Sequence, residues 1–450
     1  MKLGLASFQW LVFILAGSLV APLAVGHAFG FSPQDIAEFM QRTFLIIGIS
    51  GILQTMFGHR LPIMENPAGL WWGVFAVYGG LIAAGTISLE GGLRQLEMGM
   101  LIAGALFIII AVLRLTSAIG KLFTPLVVGT YLLLLVAQLS GSFMKGMLGV
   151  GYRASTHVEL QVAIPAIITL LCAMLLPRSS KAFLRNYSVL ISLCIGWLLF
   201  YLLGITEPIQ PSASWVSAPM PFAWGLPELD SGILMTSLFV SLLLIANMMT
   251  SIRVMEGVMD NSGETSEPVN YDRTMLMMGA NTGLGGIFSA MGCVPISGTA
   301  GFIMTTRIYQ RLPFVIACVL IAGISFFPPA TAFFASIPMP VGYATIFIPF
   351  ASMVGLGLKE FQSIPMNERN RFILGVSIMM GIGCMFIPAE AVGQLPGLLK
   401  TMANNGLIVG MILCMAMEQG SRLLDRRAGR TQKEESKEEQ LNISKRKASN

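Results

Sequence analysis

Glu65 is the residue of this sequence whose chemistry asks most for an explanation. It lies in Pro62-Ile63-Met64-Glu65-Asn66-Pro67-Ala68-Gly69, a stretch interrupted by proline and glycine inside an apolar run of membrane-spanning length. A second break, Pro295-Ile296-Ser297-Gly298-Thr299-Ala300-Gly301, follows about 230 residues later. Proline disfavours helix in the residue before it, and glycine lets other backbone approach closely. Each stretch is therefore expected to be a short extended piece that leads into a half-helix. An interrupted span leaves backbone N–H and C=O groups without helical partners, which is tolerable at membrane depth only where they are buried in protein or line a cavity. Breaks at corresponding places in two halves point to a small-solute site near the bilayer midplane. The chemistry on offer is a set of peptide donors at two helix N-termini and one acid, Glu65, that can carry polarity or a proton. Its alternative role is an interfacial pairing with Arg60 or another basic group.

The elements that must position these groups follow from composition. Of 450 residues, 54% are hydrophobic and only 11% charged, with a mean hydropathy of +0.74, which excludes an ordinary soluble domain. At about 20 residues per crossing, the chain reads as an all-α polytopic protein of about fourteen spans. These include segments at 5 to 26, 38 to 57, 62 to 81, 96 to 113, 273 to 291, 296 to 310 and 313 to 333. The first half starts near Leu5 and the second near Gly232, an offset close to that between the two breaks. Seven spans per half is odd, so the halves insert in opposite senses as a 7+7 inverted repeat. The expected organisation is a first repeat over 1–205, an extracellular connection over 206–231, a second repeat over 232–420 and a disordered cytoplasmic tail over 421–450. Basic residues segregate to the loops that share a side with the N-terminus, and Thr206 to Asp230 has none. Both ends are therefore expected in the cytoplasm of a multi-pass plasma-membrane protein.

Gly51-Ile52-Leu53-Gln54 with Gly58-His59-Arg60-Leu61-Pro62-Ile63, Asn281 to Gly292, and Gly301 to Tyr309 resemble the nucleobase/ascorbate transporter family, which includes bacterial uracil, xanthine and uric acid permeases. The resemblance covers most of residues 3 to 420. It implies a core layer of spans one to four and eight to eleven, and a gate layer of spans five to seven and twelve to fourteen. Substrate would lie between the layers, held by the third, eighth and tenth spans, with a proton or cation co-transported and a homodimer formed through the gate layer. In the family's tenth-span signature Gly301, Thr306 and Arg307 hold, while Gly298 and Thr299 stand where the family has an amide or carboxylate and an Asn. Asn247 stands at the eighth-span position of a substrate-binding Glu, Ser251 where some relatives have His, and Gln9-Trp10 for a Gln-His pair.

A nucleobase offers donors and acceptors along one edge and two apolar faces, so its site needs a bidentate polar group, backbone partners and a flat surface. The expected substrate contacts are Glu65, Ala68, Gly69, Asn247, Ser251, Ser297, Gly298 and Thr299. The expected function is a permease that carries a nucleobase, a purine such as xanthine or uric acid, by alternating access with H+ as coupling ion. An anion transporter or channel on the same fold, or a family member that does not transport, are the alternatives. Trp71 and Trp72 read as members of a membrane-interface belt, with a stacking plane as the other role. Gly283 to Gly286 reads as close helix packing. The three histidines, His27, His59 and His157, fall near span ends or in loops and offer no buried metal cluster; the six cysteines show no CxxC pairing. With no Walker loop, HExxH or nucleophile-base pair, no cofactor, enzyme activity or nucleic-acid partner is expected.

Overall fold

Polar first turns, rather than the apolar runs alone, decide where the helices begin. In the computed structural model, which describes residues 2–83, 85, 87–120, 124–206, 214–261, 268–388, 391, 406–407 and 409–422, the chain is mostly helical. It opens with α1 (Lys2–Ser18), α2 (Val20–Ala28) and α3 (Pro33–Phe57). Ser32 caps α3 reciprocally with Asp35, and Pro33 occupies its first turn, so the helix starts before the expected residue 38. After α3 come the strand β1 (Glu65–Pro67), α4 (Gly69–Ala83) and α5 (Leu89–Val112), the last capped by Ser88. Then follow α6 (Thr116–Gly120), α7 (Pro125–Met147), α8 (Leu160–Leu175), α9 (Ala182–Asn186) and α10 (Ser188–Leu202). The second half holds α11 (Ser231–Asn261), α12 (Tyr271–Ile287), the strand β2 (Cys293–Pro295) and α13 (Thr299–Thr306). It continues with α14 (Arg311–Ile324), α15 (Pro328–Ala335), α16 (Met339–Gln362) and α17 (Glu368–Met385), and residues 409–422 are helical.

Six of the described helical segments are long and apolar enough to cross a membrane, or seven if α14 and α15 count as one. That pair corrects the expected single span at 313 to 333, because the chain bends by 90° between α14 and α15. Pro328 and Pro329 follow the bend, and proline cannot continue the helix that precedes it. The tail from residue 423 onward, 207–213 of the expected connection, and 403–405 and 408 of the last expected span, 403 to 420, lie outside the described residues.

The helices sort into two packed bundles. In the first, α12 lies along α5, α14 against α3 and α1, α15 against α3, and α11 against α5 and β2. In the second, α16 packs on α7, α8 and α10, and α17 on α7. The bundles meet where α2 touches α16, α4 touches α7 and α1 touches α10. Glycine makes the α5–α12 contact feasible: a Cβ at Gly104 would stand 2.8 Å from both the Gly279 carbonyl oxygen and the Gly283 nitrogen. Between apolar helices in lipid, such close backbone approach is a main source of association.

Candidate functional site

Both interrupted stretches are extended, and they pair with each other. β1 and β2 form an antiparallel ladder in which Glu65 faces Pro295, Asn66 faces Val294 and Pro67 faces Cys293. Ala68 N–H donates to the Gly292 carbonyl at 3.0 Å, and Ile296 N–H to the Met64 carbonyl at 3.0 Å, so the ladder is closed at both ends. The prolines sit at the strand ends, where a missing donor does least harm. Because the strands run antiparallel, α4 and α13 leave from opposite ends of the ladder, each with the positive end of its dipole next to the crossing, and the first N–H groups of α13, at Thr299, Ala300 and Gly301, close turns onto the carbonyls of Ile296, Ser297 and Gly298.

Side chains tie this ladder to its surroundings. Thr299 Oγ1 accepts from Met64 N–H at 3.1 Å, which joins the first turn of α13 to the chain entering β1. Asn247 Nδ2, from α11, donates to the Pro295 carbonyl at 3.3 Å, and Asn66 Nδ2 donates to the Gly17 carbonyl on α1 at 2.7 Å. These bonds satisfy backbone groups that an interrupted span would otherwise leave bare.

The eight expected contacts are thereby divided. Asn247 and Ser297 are half-buried, Gly69 likewise, and Gly298 is exposed. Ala68 and Thr299 are buried and engaged in the bonds just described, and Ser251 is buried with its hydroxyl oxygen lacking a hydrogen-bond partner. Glu65 is also buried, and its carboxyl turns toward His59. His59 does lie at a span end, in the turn just past α3, but its side chain is buried in the interior, which its place after the helix-ending Gly58 concealed.

The tryptophans also depart from expectation. Trp71 and Trp72 are buried within α4, not set in an interface belt. The Trp72 ring meets Phe143 of α7 at 5.6 Å between centroids, and the Trp71 Nε1 has no hydrogen-bond partner. A Cβ at Gly292 would stand 3.0 Å from that nitrogen, so glycine at the mouth of β2 leaves the indole room beside the ladder. On the opposing bundle, Gln138 of α7 has a buried carbonyl oxygen without a partner, and its Nε2 is the nearest atom to where a Gly73 Cβ would stand, 3.9 Å away. Sequence reasoning passed over this amide because it lies in a span assigned to the gate alone.

A second polar cluster, also missed, lies on the first bundle. Glu97 of α5 accepts from the Ser289 hydroxyl, whose residue carbonyl accepts from Arg42 Nε of α3 at 3.3 Å. The Arg42 guanidinium also lies 6.0 Å from the Trp224 ring centroid, and Trp224 N–H donates to Ser289 Oγ at 3.3 Å. Together with Gln41, which donates to Ser217, these groups strap residues of the 214–230 segment onto the first bundle. Among the described residues no group of three or more His, Cys, Asp or Glu could hold a metal.

Two helical bundles that meet around a pair of interlocked, interrupted crossings define a membrane transporter of the kind built on helix half-spans. The chain belongs to the Permease family of xanthine/uracil type, which matches residues 1–390. It is not an enzyme family. The chain is 37% identical over 422 residues to the Bacillus subtilis protein named "Putative purine permease YwdJ", covering 93% of this chain and 96% of that one. It is 25% identical over 428 residues to the xanthine permease of Bacillus subtilis, covering 91% of each. Among solved structures it resembles the transmembrane domain of the cyanobacterial bicarbonate transporter BicA, with a TM-score of 0.62 at 16% identity, covering 89% of this chain and 96% of that one. That likeness shows a shared fold.

Proposed function

We propose that this protein is a secondary transporter for a nucleobase, a purine such as xanthine or uric acid, that works by alternating access with a proton as the coupling ion. The reading rests on one observation, the β1–β2 ladder, which sets the N-termini of α4 and α13 beside the Asn247 amide between two bundles. In this reading the fold is a fourteen-span 7+7 inverted repeat with repeats at 1–205 and 232–420, and the first bundle carries substrate past the second. Both termini face the cytoplasm, the protein resides in the plasma membrane, and the second bundle forms the contact of a homodimer. Peptide groups at Gly69, Ser297 and Gly298, with the Asn247 amide, match the polar edge of the ring, while Ala68 and Thr299 hold the ladder that positions them. Ser251, on the turn after Asn247 and with an unpartnered hydroxyl, supplies a further contact. The small Gly298 and Thr299 leave room for a two-ring base.

Uptake of tritiated xanthine, uric acid and uracil into cells without other permeases tests this. Xanthine or uric acid should enter and compete with each other, with uracil weaker. If no base enters or competes, the assignment falls. The two helix N-termini at the ladder favour one other reading, an anion carrier. Anion-dependent current without base uptake would select it.

A further inference from the structure

The turn from α3 into β1 carries a buried acid and imidazole. His59 Nε2 lies 3.3 Å from Glu65 Oε1, and both side chains are 0% exposed. Leu61 N–H donates to His59 Nδ1 at 3.0 Å, so that nitrogen holds a lone pair. The ring proton therefore sits on Nε2 and is donated to Glu65. The imidazole so held is neutral, and it is committed on both nitrogens. A further proton arriving here goes to the Glu65 carboxyl, whose second oxygen, Oε2, is buried without a hydrogen-bond partner. The other titratable or charged groups facing the pair are the thiols of Cys293 on β2 and Cys318 on α14, which lie within the field of Glu65, and Arg311 at the start of α14, whose charge reaches His59. Gln54, Ser50 and Asn66 nearby each have a buried oxygen without a partner, so the compartment is polar but closed.

From this geometry we infer that Glu65 is the proton-binding residue of the transport cycle, with His59 as the positioning residue that holds its carboxyl, and that Glu65 does not touch substrate. The inference rests on the function proposed above and deepens it. In each cycle the carboxylate takes one proton from water on one side, becoming the acid, and returns it to water on the other. Coupling follows from position. Glu65 is the first residue of β1 and pairs with Pro295, while its neighbour Met64 is held through N–H by Thr299 and through C=O by Ile296. Adding or removing a unit charge directly behind the ladder changes the field at both half-helix N-termini, where the solute sits. The acid is also sealed from water in the conformation seen. It can exchange its proton only when the bundles move, which ties proton transfer to the conformational cycle and prevents leakage.

The test uses the purified full-length protein in proteoliposomes with tritiated xanthine and uric acid. An imposed gradient of about one pH unit should drive about tenfold accumulation per coupled proton in the unaltered protein. Absence of any uptake overturns the transport reading itself. Uptake that ignores the gradient overturns only the proton assignment. In Glu65→Gln, whose amide oxygen can still accept from His59, gradient-driven accumulation should vanish and the pH profile flatten, while xanthine counterflow between preloaded vesicles and medium persists. Accumulation equal to that of the unaltered protein in this variant overturns the role of Glu65. His59→Gln should keep coupling but move the pH midpoint of uptake, and an unmoved midpoint removes His59 from the scheme. A measurement independent of any variant is the proton signal on adding xanthine to unaltered protein in weakly buffered detergent solution. A stoichiometric pH change is expected, and its absence overturns the inference.

Discussion

The half-helices α4 and α13 occupy corresponding places after β1 and β2, yet the molecule treats them differently. α4 is enclosed: Leu70, Trp71, Trp72, Val74, Phe75 and Tyr78 are buried, and the helix packs on α2, α5 and α11 of its own bundle and on α7 of the other. α13 packs on α11 and α9, with Gly301 and Met304 exposed within it and Gly298 and Arg307 exposed at its two ends. Gly301 and Met304, three residues apart within α13, are neighbours on its surface. The second bundle thus meets α4 through the long α7 and α13 through the short α9, and Met304 of α13 keeps its side chain exposed. In the alternating-access reading proposed above, this asymmetry belongs to one state of the cycle, closed beside α4 and open beside α13.

Thiol labelling gives the largest effect by which this comparison can be broken. With the exposed Cys194 replaced by Ala, Met304→Cys should react with a membrane-impermeant maleimide orders of magnitude faster than Val74→Cys, since reaction needs an accessible thiolate. Equal rates would mean that the two half-helices are alike in solution. A wedge between the bundles should then reverse the order. Gly73→Leu forces a side chain between α4 and Gln138 of α7, where even a Cβ stands 3.9 Å from the amide. Overpacking of this kind costs about 1–3 kcal/mol, and about 1.4 kcal/mol already shifts a two-state equilibrium tenfold. Val74→Cys labelling should rise and Met304→Cys labelling fall in that background.

A smaller effect comes from the bond that joins the two regions. Thr299→Val removes the acceptor for the Met64 N–H and leaves a buried donor unpaired, at a cost of about 1–3 kcal/mol. The thermal midpoint in detergent should fall for Thr299→Val and hold for Thr299→Ser. A similar fall in both variants would show that volume, rather than the hydrogen bond, matters at this position.

The parts legible in the sequence were those that proline, glycine and apolar length encode. Pro62, Pro67 and Pro295 marked stretches that are extended in the structure, and the glycines of α12 marked its close contact with α5. Hidden were features that depend on pairing across the fold. Arg42 and Glu97 lie inside apolar segments, and only the strap formed by Ser289 and Trp224 shows why polar groups are accommodated there. His59 read as a span-end residue because its partner stands beyond a turn. The bend between α14 and α15 was covered by uninterrupted hydropathy, and the early start of α3 by a polar first turn whose cap, Ser32, is silent in an apolar window. Glu65 was noticed as an acid at depth, but the direction of its carboxyl is a matter of rotamer and packing that no spacing carries.

The mildest change concerns the tether on the open side. Asn247 binds the Pro295 carbonyl from α11, so Asn247→Ala releases the end of β2 that leads into α13 without touching α4. One hydrogen bond of this kind contributes about 1 kcal/mol net, which corresponds to about a fivefold rise in apparent KM for xanthine if the amide also meets substrate. If Asn247 serves only as a tether, thermal stability should drop by that amount while KM stays fixed. Ser251→Ala separates the cases further, because its hydroxyl has no protein partner to lose. A KM increase in Ser251→Ala with unchanged stability would place substrate against this face of α11, whereas no change in either would confine recognition to the ladder and the two helix N-termini.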